Sequence, residues 1–395
     1  MTDKTDTKDI GNKTEMTDKT DKADAAEERN INTAYAKMHG QKIAVIAVTV
    51  ILLILAMIFA AASGSVYIPP SDIIAVLLNS VIPGITDNAV NENTAMILFN
   101  LRLPRIFLAA LAGVCLALAG AVMQALLRNP LVSPFTLGLS SAASFGAAFM
   151  IVLGPIVFGS LFKSTAYIFG YTLSMNSVLM IFSAFIFGWM SVSIIYLLSH
   201  SRSASQSIII LSGVVIGYIF QAGLLAMQYI SSDESLRDIV IWLMGGMWGA
   251  SWQAVIILFP IALACFIIME MRAWKLNTLS AGDDVAKNLG INVARFRIQG
   301  LLIVSFGASA CLAFTGVIGF VGLMAPHICR MIIGNDNRYL IPCAAATGAL
   351  ILVVSDTLAR IVLAPIELPV GIIMYLIGGV FFIYLIVKGR GAGLE

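Results

Sequence analysis

Repeated runs of about twenty apolar residues constrain this sequence more than any other feature. A helix needs about 20 such residues to cross the hydrocarbon layer of a membrane. Runs of that length occupy most of the 395 residues. They are continuous rather than alternating, which excludes the strand pattern of an outer-membrane barrel. We therefore predict an all-α polytopic membrane protein.

Ten runs qualify as membrane spans, and the eighth is short and interrupted by Gly and Pro. Irregular backbone of this kind is tolerated at membrane depth only where protein or a water-filled path surrounds it. The predicted spans cover residues 43–63, 104–127, 135–157, 177–198, 207–230, 252–270, 298–316, 319–333, 340–362 and 369–387.

Residues 1–40 have a different composition, with nine acids, seven Lys or Arg, and the sequence TDKTD present twice. Almost nothing in this segment is able to form a core, so we predict a disordered tail. It lacks the apolar stretch of a signal peptide. Residues 41–395 are predicted to form one transmembrane domain.

The distribution of basic residues predicts the orientation in the membrane. Ten spans place both termini on one side, and 12 of the 17 Lys and Arg that follow the tail fall on that side. Cytoplasmic loops carry the excess of Lys and Arg. The termini and the loop of residues 271–297 are therefore predicted to be cytoplasmic.

The loop Met271–Arg297 is the longest water-compatible segment after residue 43. Within it, Ser280–Leu289 is predicted to be a short helix capped by Ser280, with Asp283 and Asp284 in the first turn and Gly290 at its end. A structured helix between two spans indicates a docking element, and a solvated loop that only maintains topology is the alternative.

Several kinds of chemistry have no motif in this sequence. It has no GxxxxGK[ST] phosphate loop, HExxH, GxSxG or paired intramembrane carboxylates, and its acids in spans, Glu270 and Asp356, lie near helix ends. The five cysteines lack ligand spacing, and His327 has no partner in sequence, so a helix-capping or packing role is favoured for it. We expect no enzyme activity, cofactor or metal site, and an energy source on another chain.

Ordered motifs resemble one protein family from residue 43 to the C-terminus. They are LRLPR at Leu101–Arg105, LAGAVMQALLRNPLVSPFTLGLSSAASFG at Leu118–Gly146, WLMGG at Trp242–Gly246, GDDVAKNLG at Gly282–Gly290, GVIGFVGLMAPHICRMIIGNDNRYLIP at Gly316–Pro342 and ELPVG at Glu367–Gly371. The sequence resembles the permease subunits of iron-siderophore and cobalamin ABC importers.

The resemblance implies the fold, partners and location of a type II ABC importer permease. A second permease, identical or paralogous, would complete the path, a cytoplasmic ATPase dimer would supply energy, and an extracytoplasmic binding protein would deliver a metal chelate. The chain would lie among lipids of the cytoplasmic membrane, and no nucleic acid partner is indicated. Ferric siderophore is the expected cargo because it is common in the family, with cobalamin or haem as alternatives. An ion-coupled secondary transporter and a membrane scaffold without transport remain different classes.

The resemblance also implies which residues meet the ATPase. In the family, the helix at the position of Gly282–Gly290 fits a cleft on the ATPase. Val285, Ala286 and Leu289 are predicted to form its apolar face. Gly282 and Gly290 would allow close approach and the exit turn. With Asp283, these residues form the predicted coupling helix.

Three arginines at the predicted outer face, Arg102, Arg105 and Arg360, match positions that receive acidic residues of the binding protein in similar permeases. Arg102 and Arg105 have the alternative of anchoring at the membrane interface. Arg360 lies four residues after Asp356 and has the alternative of an i,i+4 ion pair.

The translocation path is predicted from polar and small residues. Span five carries Ser212, Gly213, Gly217 and Gln221 on or near one face, and span two carries Gln124. Close helix packing through small residues and hydrogen bonds is the alternative. Ser205, Gln206 and Ser207 match the cytoplasmic gate loop of the family by position.

Overall fold

The computed structural model describes residues 36–64, 67–82, 92–168, 171–200 and 206–388. The chain divides into two units, Met1–Val48 and Thr49–Glu395. In the first unit the described residues, from Ala36 onward, are the beginning of helix α1. The predicted disordered tail lies outside the described residues up to residue 35.

The second unit is helical apart from one hairpin within its described residues. Helix α1 is Ala36–Ala62 and begins in the first unit. Strands β1 (Thr165–Ile168) and β2 (Tyr171–Ser174) form the hairpin. The other helices are α2 (Pro70–Val81), α3 (Glu92–Met96), α4 (Leu103–Leu127), α5 (Leu139–Phe158), α6 (Met175–His200), α7 (Gln206–Ile230), α8 (Asp233–Met244), α9 (Trp252–Glu270), α10 (Ala273–Ser280), α11 (Asp283–Asn288), α12 (Val293–Thr315), α13 (Val321–Ile333), α14 (Asn337–Ile361) and α15 (Val370–Val387).

The predicted all-α membrane fold is confirmed. In the described part of the chain, nine helices are long and apolar enough to cross a membrane. The remaining predicted span, the eighth, is α13, which has only 13 residues. The ten elements coincide with the ten apolar runs, and the six-residue π-helix Ile97–Arg102 extends α4 at its start.

Helix α4 is the central element of the second unit. Most of its residues are buried, and it packs against α9, α12, α13 and α14. Glycines permit these contacts, because a Cβ on Gly113 would meet the backbone of Gly348, and one on Gly120 would meet the backbone of Gly322. Small residues that bring backbones close together are how helices associate in lipid.

Helix α13 is short because the chain before it is not helical. Gly316 and Phe320 both have left-handed backbone angles, with φ of 66° and 64°, and the helix begins only at Val321. Residues 316–319 are buried, and Gly316 lies against the backbone of Trp242, so this irregular backbone is surrounded by protein, as predicted from the broken eighth span.

The β hairpin between α5 and α6 is antiparallel, with Thr165 opposite Ser174 and Ile168 opposite Tyr171. It connects the two helices where α5 ends at the positive-φ residue Gly159. Helix α5 packs against both α6 and α7, which forms a second group of helices beside α4.

Candidate coupling and gate site

The loop between α9 and α12 contains two helices, α10 and α11, and α10 is fixed to the protein body. Its Ala273, Leu276 and Leu279 are buried. The guanidinium of Arg338 lies 4.3 Å from the ring centroid of Trp274, a cation–π contact. The segment is therefore a packed structure and not a solvated loop.

Hydrogen bonds join α10 to the start of α14. The amide of Asn277 donates to Asp336 Oδ1 at 2.7 Å and accepts from the backbone N–H of Asn337 at 2.8 Å. Arg338 also donates to Asp336, at 2.6 Å from Nη2 to Oδ2. Burial alone would raise the pKa of Asp336, but these hydrogen bonds outweigh burial and lower it to about 2.

The predicted cap of the coupling helix is wrong. Ser280 is the last residue of α10, and its hydroxyl donates to the Leu276 carbonyl at 2.9 Å. The N-cap of α11 is Gly282, whose φ of 136° is accessible to glycine but strained for other residues. A serine and a glycine two residues apart both resemble caps in sequence, and the preceding helix takes the serine. Asp283 and Asp284 lie in the first turn of α11, as predicted.

Gly290 ends the coupling helix as predicted, with a φ of 78°. A Cβ at this position would have open space, so backbone conformation and not crowding requires the glycine. At Gly282, a Cβ would lie 4.0 Å from an Nη of Arg128, so the chain also passes close to the end of α4.

The predicted apolar face of α11 divides into two parts. Ala286 is fully buried against the protein body, whereas Val285 and Leu289 are exposed, Leu289 by 68%. Ala286 therefore attaches the helix, and the exposed apolar pair is Val285 and Leu289. Exposed apolar residues rimmed by the charges of Asp284 and Lys287 are typical of a protein interaction surface.

Asp283 links the coupling helix to two membrane helices. Its carboxylate accepts from Arg297 Nη2 at 3.0 and 3.1 Å and lies 3.4 Å from Nη2 of Arg128. Arg297, in the first turns of α12, has a side chain only 2% exposed, and its Nε donates to the Leu126 carbonyl at the end of α4. The negative charge of Asp283 compensates this buried guanidinium.

Gln206 belongs to the same network. In the amide orientation that pairs its oxygen with donors, that oxygen accepts from Arg128 Nε at 2.7 Å and from Arg297 Nη2 at 3.2 Å. Gln206 is the first residue of α7. Of the three residues predicted at the gate, Ser207 is exposed and Ser205 lies outside the described residues.

The predicted path residues of α7 lie against the connection between α4 and α5. Gly213 and Gly217 are buried, and added Cβ atoms there would lie 2.8 Å from Leu137 Cα and 3.1 Å from Gly138 Cα. Ser212 and Gln221 are half-buried on the same helix. Close packing thus accounts for the two glycines, and a path-lining role for these four residues remains a prediction.

Gln124 is buried between α4 and α13. Its amide nitrogen donates to the Gly322 carbonyl at 3.2 Å, and its oxygen accepts from Arg330 Nη1. Both polar ends of the side chain are therefore satisfied inside the protein. These contacts match the packing alternative, and contact with the cargo remains a prediction.

Two of the three predicted docking arginines, Arg105 and Arg360, share one ion cluster. Arg105 Nε lies 3.0 Å from Asp356 Oδ1, and Arg105 Nη1 lies 2.6 Å from Glu367 Oε2. Arg360 Nε lies 3.3 Å from Asp356 Oδ2, so its alternative i,i+4 pairing is confirmed.

Arg102 and Arg360 also bind the end of α1. Arg102 Nη1 donates to the carbonyls of Ala61 and Ala62, and Arg360 Nη2 donates to the Ala60 carbonyl. These carbonyls lack partners within the helix because they lie in its last turn. Both arginines are buried, so Arg102 does not reach outward as an interface anchor.

Three further polar residues at the site were not predicted as functional: Arg128, Arg297 and Arg330. The sequence signal for Arg297 is a charge inside the start of an apolar helix, where ionisable residues are costly. Arg128 has a left-handed backbone with φ of 43°, which no sequence pattern indicates for arginine.

His327, at the centre of α13, packs against Phe381 and Phe382, with ring centroids 6.1 and 6.0 Å away.

Comparison with known proteins gives consistent matches over most of the chain. The sequence profile described as the FecCD transport family matches residues 52–388. The hemin transport system permease protein of Yersinia pestis is 35% identical over 308 residues, which are 77% of this chain and 87% of that protein. The Fe(3+)-citrate import system permease protein YfmE of Bacillus subtilis is 34% identical over 344 residues, 87% of this chain and 94% of that protein.

A solved structure is also similar to this one. It is the inward-facing conformation of an ABC transporter assigned to the metal-chelate type, and it matches with a TM-score of 0.72 at 30% sequence identity. The match covers 87% of this chain and 98% of the other chain. Fold and sequence comparisons therefore agree with each other.

Proposed function

The chain belongs to the FecCD transport family, and we propose that it is the membrane permease of an ABC importer that carries a ferric chelate into the cytoplasm. The permease supplies the path, and the energy comes from ATP hydrolysis on a separate chain. The sequence has no phosphate loop of its own, which agrees with this division of labour.

The observation that carries the proposal is the anchored two-helix segment α10–α11. It is packed against the protein body through α10, and it presents Val285 and Leu289 to solvent on α11. A rigid element with an exposed apolar pair fits a cleft on a partner protein, since apolar anchors in pockets dominate interface affinity. We assign this partner as the ATPase dimer.

The proposed orientation places both termini and α11 in the cytoplasm. The support is the excess of Lys and Arg on the side shared with the termini. The proposed assembly has two permeases, identical or paralogous, two ATPase subunits and an extracytoplasmic binding protein.

Binding-protein docking at the end that carries Arg102, Arg105 and Arg360 is also proposed. The support is the concentration of three cations there, since such charge steers an acidic partner. Arg102 and Arg360 make internal hydrogen bonds, so Arg105, which also contacts the half-exposed Glu367, is the residue best placed to act at the surface.

The proposed cargo is a ferric siderophore, with haem and cobalamin as alternatives. The relatives named above carry hemin and Fe(3+)-citrate according to their descriptions. Chelators wrap the metal, so the permease needs no ligand set of its own for iron.

Uptake into proteoliposomes tests the proposal. The vesicles contain the full chain, its ATPase and its binding protein, and they receive labelled ferric siderophore, haem or cobalamin with ATP. We expect uptake of the ferric chelate that requires all three proteins. Uptake of cobalamin alone would show that cobalamin is the cargo instead of a ferric chelate. Uptake of none of the three compounds would contradict the proposal.

A further inference from the structure

Asp283 occupies a position between the surface of the coupling helix and the membrane helices. Its side chain is 31% exposed, whereas the side chain of its neighbour Asp284 is 93% exposed and pairs with Lys287 on the same helix. The two acids are adjacent in sequence, but only Asp283 turns toward the protein body.

Asp283 contacts two arginines at the ends of two helices, and both arginines contact a residue that begins a third helix. Arg128 directly follows α4, Arg297 lies in α12, and Gln206, which both arginines contact, begins α7. Helix α7 carries the predicted path residues. Hydrogen bonds and ion pairs therefore connect α11 to the ends of α4, α7 and α12.

The charges of this network favour a rigid connection over a loose one. Two guanidiniums share one carboxylate and one amide oxygen, and Arg297 is almost fully buried. Without the carboxylate, two positive charges would face each other, one of them desolvated and uncompensated. Charge-assisted hydrogen bonds from arginine also fix geometry more strictly than apolar contacts do.

The backbone on both sides of the network is conformationally restricted. Arg128 has a φ of 43° and Gly282 has a φ of 136°, and the Cβ position of Gly282 lies 4.0 Å from Arg128. A left-handed backbone at a non-glycine residue such as Arg128 persists only where the surroundings hold it, and such residues are found at switch regions. Arg128 is one member of the ion pair with Asp283, and Gly282 directly precedes the other member.

We propose that Asp283 is the positioning residue through which movement of the coupling helix is passed, by way of Arg128 and Arg297, to Gln206 at the start of α7. This inference rests on the proposed function, because it assigns a transmission route to the same coupling helix. Val285 and Leu289 bind the ATPase in this scheme, and Asp283 carries the motion inward.

The test compares Asp283→Asn with Asp284→Asn in the complete importer. Both variants remove one negative charge from the same helical turn, so only the inward position differs. Uptake and ATP hydrolysis are measured in the same proteoliposomes, with the amount of assembled complex determined by size-exclusion chromatography. We expect Asp283→Asn to assemble and hydrolyse ATP while uptake per ATP falls by about tenfold, and Asp284→Asn to keep the wild-type ratio.

A purely structural role gives a different result. Uptake and hydrolysis would then fall together with the amount of complex, and their ratio would stay at the wild-type value, which would overturn the proposal. Asp283→Glu keeps the charge, and we expect it to restore part of the ratio. If the Asp283→Asn variant does not assemble, Arg128→Gln provides a second test, because it removes a partly exposed ion-pair partner of Asp283. We expect it to lower the ratio of uptake to ATP hydrolysis. Absence of ATP-dependent uptake in the wild type would instead contradict the proposed function.

Discussion

Nε of Arg105 in α4 lies 3.0 Å from Oδ1 of Asp356 in α14, and this contact joins residues 251 positions apart in the sequence. Arg360 approaches the other oxygen of the same carboxylate at 3.3 Å. Asp356 thus compensates two cations at the ends of α4 and α14, two helices that pack extensively against each other. A carboxylate held between two arginines is also unlike the free acid that an ion-coupled transporter needs.

Asp356→Asn is expected to destabilise the protein strongly. It leaves Arg105 and Arg360 without a buried countercharge, and breaking a buried ion pair in this way costs about 3–5 kcal/mol. The free energy of unfolding in mixed detergent and SDS measures the loss. Glu367→Gln is the control, since that side chain is 38% exposed and its pair should contribute about 1 kcal/mol or less. Equal losses in the free energy of unfolding for the two substitutions would contradict the role of Asp356 as the buried countercharge of both arginines.

Gly120→Ala is expected to separate α4 from α13. The added methyl group would overlap the backbone of Gly322, and backbone cannot move aside as a flexible side chain can. We expect a loss of at least about 2 kcal/mol in the free energy of unfolding. Gly379→Ala in α15 has open space and should be neutral or stabilising by up to about 1 kcal/mol. A stable Gly120→Ala variant would show that the two helices are not in backbone contact.

Leu289→Ser tests the exposed apolar pair of the coupling helix. The side chain is 68% exposed in the permease alone, so the free energy of unfolding should change little. If Leu289 fills a pocket on the ATPase, its loss should lower the affinity between the two proteins by about tenfold, or about 1.4 kcal/mol. Binding of purified ATPase to the permease in detergent measures this. Asn288→Ser on the same helix is the control. If the two variants bind the ATPase with equal affinity, Leu289 is not part of the interface.

The contribution of Asp336 to the stability of the junction between α10 and α14 is expected to depend on pH. Its pKa is lowered to about 2 in the folded protein, below the usual value near 3.8. Its stabilising contribution is therefore fully present above about pH 5 and is lost as the pH falls through 4 toward 2. We expect the difference in thermal midpoint between wild type and Asp336→Asn to be constant from pH 7 to 5 and to shrink below pH 4. A difference in thermal midpoint that grows as the pH falls would contradict a lowered pKa of Asp336 in the folded protein.

The sequence predicts the membrane elements well because each depends on local composition. The ten apolar runs, the break before α13 and the first turn and end of α11 all follow from residues within the same segment. Even there, capping is ambiguous: Ser280 ends α10 instead of starting α11, because its hydroxyl finds a carbonyl in the preceding turn. The burial of Ala286 depends on which side of α11 meets the body, which periodicity over six residues does not determine.

The roles of the arginines could not be predicted because they depend on tertiary contacts. Arg297 reaches Asp283 and the end of α4, 171 positions away, and Arg105 reaches Asp356. Charge counting predicts on which side of the membrane these residues lie, and it carries no information on what they contact. The one pair that sequence spacing does indicate, Asp356 with Arg360, is present as an i,i+4 pair.

The source of energy for transport distinguishes an ABC importer permease from an ion-coupled transporter. Proteoliposomes containing the permease are supplied either with ATPase, binding protein and ATP, or with a proton or sodium gradient and no ATPase. We predict accumulation of ferric chelate only with ATP and both partner proteins. Accumulation driven by an ion gradient without the ATPase would contradict it.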